Sequence, residues 1–486
     1  MDNIYNYSSS NANYDTDFGN LREGCIFPSY DVQSRNIKYG YNMKLYNGDY
    51  AKNKLLVAMV DGQPQPINYK VLPTFKFETV INKLDSLMFG NEAIITTGDL
   101  ERDKEVRRLV DKTHWLKDIR EGVKLAEIYG DSYIKTGRFG VSSFSPKYAY
   151  KVIDISDKTK VVGYVLHEIL YDTRKSMYGV DYTPSHIRIL ISCKGFDYER
   201  VFEYNGDNLR GTLGKPVRYK YKDRWIPRKG RYYWTGIDDC ETVQCLSVNT
   251  TKTQGVYGTS ALQPIAPIVF AIENRLSTEN YVVDNHGKPL MLVSQQLMGT
   301  NENTGEYYLK VIDNKYIINK GLDDNKPEYL TWDGKLENSK TIRDDLLEEF
   351  YSLTEMGKTF LSGEYKGNIS EESLNNLIKG AIDRGVRDLN DLWYDIVRSL
   401  YMLCRLNNID VNIEDININF NIGRVDDTKQ LSEICETLDR VKLFSKETLL
   451  NKFWGYSSED AQAEFERIAK EQIGGTCNEN ESNGLA

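Results

Sequence analysis

The chain has 486 residues, with 62 Lys+Arg against 71 Asp+Glu for a net charge of -9, and is rich in tyrosine at 34 residues. That length exceeds one compact core and predicts two or more structural regions, while the acidity argues against a large basic face gripping nucleic acid, though not against DNA that slides past. Seven cysteines in no paired framework, no run of 18 apolar residues and a polar first stretch that reads as neither signal nor transit peptide lead us to expect a soluble protein made in a reducing cytoplasm, with no membrane span.

Residues 1–20 are low in hydrophobics and read as a flexible arm. Asn47-Gly48-Asp49-Tyr50 is a turn signal. Phe75 to Glu92 predicts a helix with Phe77, Val80, Ile81, Leu84, Leu87 and Met88 on one face and Gly90 as its stop, and Ala93 to Thr97 a short strand. Glu101 to Tyr129 is helical in two pieces. From there to Val248 short strands dominate, at Ala149–Ile155, Val161–Tyr171, His186–Cys193, Tyr198–Tyr204, Val217–Tyr221, Tyr232–Thr235 and Thr242–Val248, which predicts a mostly antiparallel sheet flanked by helices.

A second part begins near Ser260, read as the N-cap of a helix to about Asp284, with Pro264 in its first turn and Pro267 disturbing the second. Two short strand-like runs follow, Tyr307–Ile312 and Lys315–Ile318. Glu337 to Phe360 predicts an amphipathic helix, with Ile342, Leu346, Leu347, Phe350, Leu353 and Met356 on its apolar stripe and a mostly acidic back. A glycine-bearing loop, Leu361 to Ile369, then leads to Ser370, a plausible N-cap. Leu374, Leu377, Ile378, Ala381, Ile382, Val386, Leu389, Leu392, Trp393, Ile396, Val397, Leu400 and Leu403 form a nearly unbroken three-four spacing. Such a helix would run roughly 50 Å at 1.5 Å per residue, with a kink or a close neighbour expected at Gly380 and Gly385. Ile416 to Ile422 alternates as a half-buried strand, and Asp426 to Gln472 predicts two short helices.

The order of these parts resembles the C-terminal half of tailed-phage portal proteins of the SPP1-like family. The matching residues are Gly367, Asn368 and Ser370 before the long helix, then Ser445, Glu447 and Thr448, then Glu464, Glu466, Arg467, Ile468 and Glu471, spread over about 135 residues. Glu371, Glu372 and Ser373 depart from the small residue and Ala-Leu usual in the family. Upstream, LYNGDY with the helix ending in FGNE, and YGDSY leading into a strand, are similar to the family's approach to its wing, although the usual Pro after the glycine is missing.

The resemblance implies an α+β portal fold with an α/β wing, a two-helix stem, a small clip insert, a long kinked helix and an α-helical crown. Its parts would be the arm 1–20, wing 21–257, first stem helix 258–284, clip 285–335, second stem helix 336–358, channel loop 359–370, long helix and wing strand 371–424, crown 425–473 and a disordered tail 474–486. It implies a ring, a dodecamer in the assembled virion, at one capsid vertex. Its partners would be the terminase large subunit, head-completion and connector proteins at the clip, the major capsid and scaffolding proteins, and double-stranded DNA packaged and ejected through the channel. The DNA-channel loop would comprise Lys358, Ser362, Gly363, Glu364, Tyr365, Lys366, Gly367 and Asn368, and the channel wall Asp344, Asp345, Glu348 and Glu349.

Catalytic chemistry is absent from the residue pattern. No G-x-x-x-x-G-K-[ST] phosphate loop, GxSxG or Cys-His signature occurs, so no ATPase or acyl-transfer site is expected. His114, His167, His186 and His286 sit at unrelated places, and Cys240 with Cys245 lacks the further ligands of a zinc site. The pairs Asp238-Asp239, Asp323-Asp324, Asp344-Asp345 and Asp426-Asp427 read as solvated charge, a metal-dependent nuclease being the weaker alternative. No metal, cofactor or catalytic residue is expected. Apart from a portal, the same composition suits another ring-forming neck or baseplate component of a phage-like particle.

Overall fold

A computed structural model describes residues 21–28, 30–50, 54–60, 63–69, 72–91, 93–153, 161–176, 179–207, 210–235, 237, 240–250, 257–286, 290–294, 298–300, 307–309, 316–319, 328–330, 336–363, 371–422, 445–446 and 461–468. The N-terminal arm, Glu364 to Asn368 of the expected channel loop, most of the crown and the C-terminal tail lie outside the described residues. The fold is α+β.

In chain order the first elements are β1 (Ile26–Phe27), α1 (Tyr30–Asn47), β2 (Lys54–Val60), β3 (Gln63–Tyr69), α2 (Lys76–Phe89), β4 (Ile94–Thr96), α3 (Leu100–Thr113) and α4 (Trp115–Tyr129). Strands then dominate: β5 (Asp131–Gly137), β6 (Gly140–Phe144), β7 (Ala149–Ile153), β8 (Val161–Ser176), β9 (Gly179–Cys193), β10 (Phe196–Gly206), β11 (Gly211–Pro216), β12 (Tyr219–Tyr221), β13 (Arg224–Ile226), β14 (Arg231–Trp234) and β15 (Val243–Ser247). After α5 (Ala266–His286) come the short strands β16 (Leu290–Ser294), β17 (Met298–Thr300), β18 (Tyr307–Leu309), β19 (Tyr316–Asn319) and β20 (Glu328–Leu330). The chain continues with α6 (Leu336–Leu353), α7 (Gly357–Ser362), α8 (Glu371–Leu406) and β21 (Asn417–Asn419), and residues 461–468 are helical.

These elements fall into two compact units, one of residues 1–47, 77–263 and 355–486, the other of residues 48–76 and 264–354. Residues 48–76 fall in the second unit, together with residues 264–354.

The first unit is built on an antiparallel sheet in the order β1-β11-β10-β9-β8-β7, with β14 also paired to β10. Because side chains alternate across a strand, β9 places Ile187, Ile189 and Ile191 on one face with Phe27, Val165, Tyr198, Phe202 and Leu213. Leu190 and its cross-strand partner Leu166 turn to the other face, against Tyr133, Val243 and Cys245 of the smaller sheet β15-β5-β6. Both faces are covered, so apolar residues stand on both sides of β9, although Arg188 and Ser192 interrupt the run.

β8 and β9 are 16 and 15 residues long, well beyond the predicted strands. Tyr171 to Ser176 and Gly179 to Pro184 carry turn-forming residue types, yet pair in register, and Pro184 is accommodated where the ladder shifts between Leu170 and Tyr171. All six apolar positions predicted for the helix after Phe75 are buried on α2. α3 and α4 are separated at His114, whose φ of 54 is left-handed; Asp99 caps α3 by accepting from the Glu101 amide at 3.1 Å.

α1 has no counterpart in the sequence reading. Its buried face is Val32, Asn36, Tyr39, Asn42 and Leu45, a helical spacing broken in hydrophobicity by two asparagines. Those asparagines hydrogen-bond across the core, Asn36 to the Lys147 carbonyl at 3.2 Å and Asn42 to the Tyr129 carbonyl at 3.3 Å.

The second unit contains the β2-β3 hairpin, α5, the small sheets β19-β16-β20 and β17-β18, and α6. α5 starts at Ala266, six residues after the predicted cap, and Ser260 instead closes a turn by accepting from the Leu262 amide at 3.1 Å. A start there puts Pro267, which has no amide hydrogen, in the first turn, where none is needed. Glu273 of α5 accepts from Tyr50 at 2.7 Å and from the Thr74 amide at 2.8 Å, fixing the segment after the hairpin to the helix.

Candidate functional site

The region from α5 to α8 carries the residues expected to act. On the second unit, α5 and α6 lie side by side, held by Arg343 on Glu279 and by the Ser339 hydroxyl donating to Glu279 at 3.0 Å. The insert between them contains only the short strands β16 to β20 among the described residues, the two strand-like runs of the sequence appearing as β18 and β19. Asp344, Asp345, Glu348 and Glu349 are all exposed on α6, so the acidic back of that helix faces solvent in the single chain.

The expected loop begins later than predicted. α7 takes up Lys358 and Ser362, both exposed, and ends at Gly363 in the left-handed conformation with φ 69, its amide donating to the Thr359 carbonyl at 3.0 Å. Leu361 and Met356 are buried and anchor the helix, and the Lys83 ammonium lies 5.6 Å from the centre of the Phe360 ring. Glu364, Tyr365, Lys366, Gly367 and Asn368 lie outside the described residues. Lys358 and Ser362 thus lie on one short helix that Gly363 ends.

α8 is a single helix of 36 residues, about 54 Å at 1.5 Å per residue, and it continues through both glycines. Their role is close approach: a Cβ on Gly380 would lie 2.8 Å from the Glu355 carbonyl oxygen, and one on Gly385 3.1 Å from Leu87. Arg387 also reaches Glu355 at 2.8 Å. The predicted apolar stripe is buried at Ile378, Ala381, Leu389, Leu392, Ile396, Val397, Leu400 and Leu403, whereas Val386 is exposed. β21 pairs antiparallel with β4, a shorter strand than the alternation from Ile416 to Ile422 predicts.

The buried side of α8 is unexpectedly polar. Near its middle Arg384 and Arg387 lie 3.4 and 3.6 Å from Asp388. The Glu127 side chain of α4 is buried with neither carboxyl oxygen hydrogen-bonded among the described residues. Burial, reinforced by the charge of Asp388, pushes the Glu127 carboxyl up to about 8, against the opposing pull of Arg384 and Arg387. Farther along, Arg398 pairs with Glu241 at 2.6 Å, and the Ser399 hydroxyl accepts from the Trp115 indole at 3.1 Å.

A second buried network centres on Asp131, which accepts from Tyr39 at 2.8 Å, Ser247 at 2.6 Å and the Gly258 amide at 2.8 Å. Lys151 donates to Ser247 at 3.0 Å. Burial works against the Lys151 charge, but Cys245, Asp131 and Asp395 outweigh it and hold its pKa above the ordinary value. Burial pushes the Cys245 thiol up to about 12. This is an internal clamp joining α1, β5, β7 and β15.

Among the described residues no group of three or more His, Cys, Asp and Glu is placed to hold a metal ion. Asp238-Asp239, Asp323-Asp324 and Asp426-Asp427 lie outside the described residues. Cys25, Cys193, Cys240, Cys245 and Cys404 are free thiols. No described helix is long and apolar enough to cross a membrane.

No protein-family profile matches the chain, and no curated protein matches it. Among solved structures it is similar to a chain in the neck of an empty GTA particle computed with C6 symmetry, at 11% identity and a TM-score of 0.40, covering 77% of this chain and 88% of that one. At that level the similarity carries no argument by itself.

Proposed function

We propose that the chain is a ring-forming structural component of the neck region of a phage or phage-like particle, and in its finer form the portal protein. The observation that carries this reading is the insert of short strands bracketed by α5 and α6, followed by α7 and the 36-residue α8. This is the order of parts that the portal resemblance implies, and α8, whose apolar stripe is already buried within the single chain, is a rigid part that a ring would repeat.

In the portal form, copies of α6 line an axial channel, their exposed acids repelling DNA so that it passes without sticking. Lys358 and the loop after Gly363 face the DNA and meet phosphates transiently, too few per subunit for tight binding. The insert after α5 docks connector proteins, and terminase docks during packaging. The role is guidance and gating rather than catalysis, and it needs no cofactor.

Deleting Gly363 to Gly367 tests the channel role. The variant is expected to assemble as the wild type does and to package or retain little DNA in a particle-production assay. Full heads at wild-type yield from an assembled deletion variant would remove the loop from the mechanism.

A further inference from the structure

The whole-chain charge of -9 conceals a local reversal. Between positions 215 and 231 the chain carries eight lysines and arginines, all exposed, against the single acid Asp223. Arg224 is neutralised by Glu199 at 3.2 Å. Arg218, Lys220, Lys222, Arg228, Lys229 and Arg231 pair with no carboxylate among the described residues.

The register of the β12-β13 hairpin sorts these charges. Tyr219 pairs with Ile226 and Tyr221 with Arg224, and this set turns inward. Ile226 is fully buried, Tyr219 packs on His186 with ring centres 5.0 Å apart, and the Arg188 guanidinium lies 4.2 Å over Tyr221. Lys220 and Trp225, paired with each other, consequently face out. Trp225 is 52% exposed and carries the Arg218 guanidinium 4.5 Å over its ring, which holds that cation flat with its N–H edges free to point outward. Lys222 lies in the hairpin turn, and Arg228 and Lys229 in the next one, before β14. The result is an outward cationic ribbon fixed to a sheet.

We propose that this outer hairpin face is a docking surface for the phosphate backbone of duplex DNA. Charge complementarity selects a polyanion, and the composition selects nucleic acid over an acidic protein: lysines are abundant here and depleted at protein interfaces, whereas both cations serve phosphate. A duplex is favoured over a single strand because it presents one negative charge per about 1.7 Å of axis, about twice the density of either strand, to a ribbon that recognises charge. Exposed aromatics stand beside the ribbon, Trp225 with Arg218 over one face and Trp234 stacked on Phe196 with ring centres 6.1 Å apart, so a single strand is the competing ligand that the test separates. The surface is separate from the expected channel loop and acts in a single chain, so it does not rest on the ring reading.

The test is fluorescence anisotropy of the full chain with a short labelled DNA duplex between about 50 and 200 mM salt. The wild type should lose affinity with a log-log slope of about -0.9 per phosphate neutralised. The triple variant Lys220→Glu, Lys222→Glu, Lys229→Glu should lower that slope by about 3 and weaken binding at least about tenfold. The same three positions changed to Gln should fall between the two, which guards against misfolding of the reversed variant. Lys112→Glu, Lys117→Glu, Lys379→Glu makes an equal charge change elsewhere on the surface and should keep the wild-type slope. Unchanged binding by the hairpin triple, an equal loss in the control triple, or preference for single-stranded DNA would overturn the proposal. So would an altered native mass with unaltered DNA binding, which would make the hairpin a contact between protein chains.

Discussion

Replacing Asp131 by Ala should lower the unfolding free energy of the first unit by about 3–5 kcal/mol, the range for removing one partner from a buried charge network. The substitution strips the acceptor from Tyr39, Ser247 and the Gly258 amide at once. It also leaves buried Lys151 with one aspartate fewer to balance its charge. Differential scanning calorimetry should show a fall in melting temperature of about 4–6 °C. Asp131→Asn keeps the shape and some hydrogen bonds but not the charge, and should fall between. A melting temperature within about 1 °C of wild type for Asp131→Ala would show that the network contributes packing alone.

Glu127 gives the second large effect, and it depends on pH. Its carboxyl is raised from the ordinary 4.5 to about 8, burial being the main cause and Asp388 the next. The folded state therefore binds a proton more tightly than the unfolded state. The stability this contributes is fully present below about 4.5 and is lost as pH rises through about 8. Glu127→Gln imitates the protonated form without a titrating group. At pH near 5 it should match the wild type within about 0.5 kcal/mol. At pH near 9 it should be more stable by a few kcal/mol, each pH unit of separation being worth about 1.4 kcal/mol. Urea unfolding midpoints at the two pH values read this directly. A constant difference across that range would mean that Glu127 does not titrate there.

The legible parts of this fold were those where hydrophobic spacing and burial coincide. α2 and most of α8 follow their apolar stripes residue by residue. The central strands were legible as short β-type runs between turn-forming connectors, and both of their faces are covered. The failures have a common cause in polar groups that tertiary contacts recruit. α1 was missed because Asn36 and Asn42 occupy its core face, and the far ends of β8 and β9 because their turn-forming residues are held by backbone pairing alone. Pro267 moved the start of α5 to Ala266, and Ser362, placed in a loop by sequence, sits on α7. The acidic back of α6 was readable from charge. The cationic hairpin was not, because a net charge taken over the whole chain averages it away.

Native mass spectrometry combined with negative-stain electron microscopy of the purified protein tests the central claim most directly. A ring-forming neck or portal component should appear as closed rings of a single high subunit number, with twelve expected for the portal form in the virion, and an axial hole wide enough for duplex DNA. A closed dimer with no channel, homogeneous at micromolar concentration, would contradict the account.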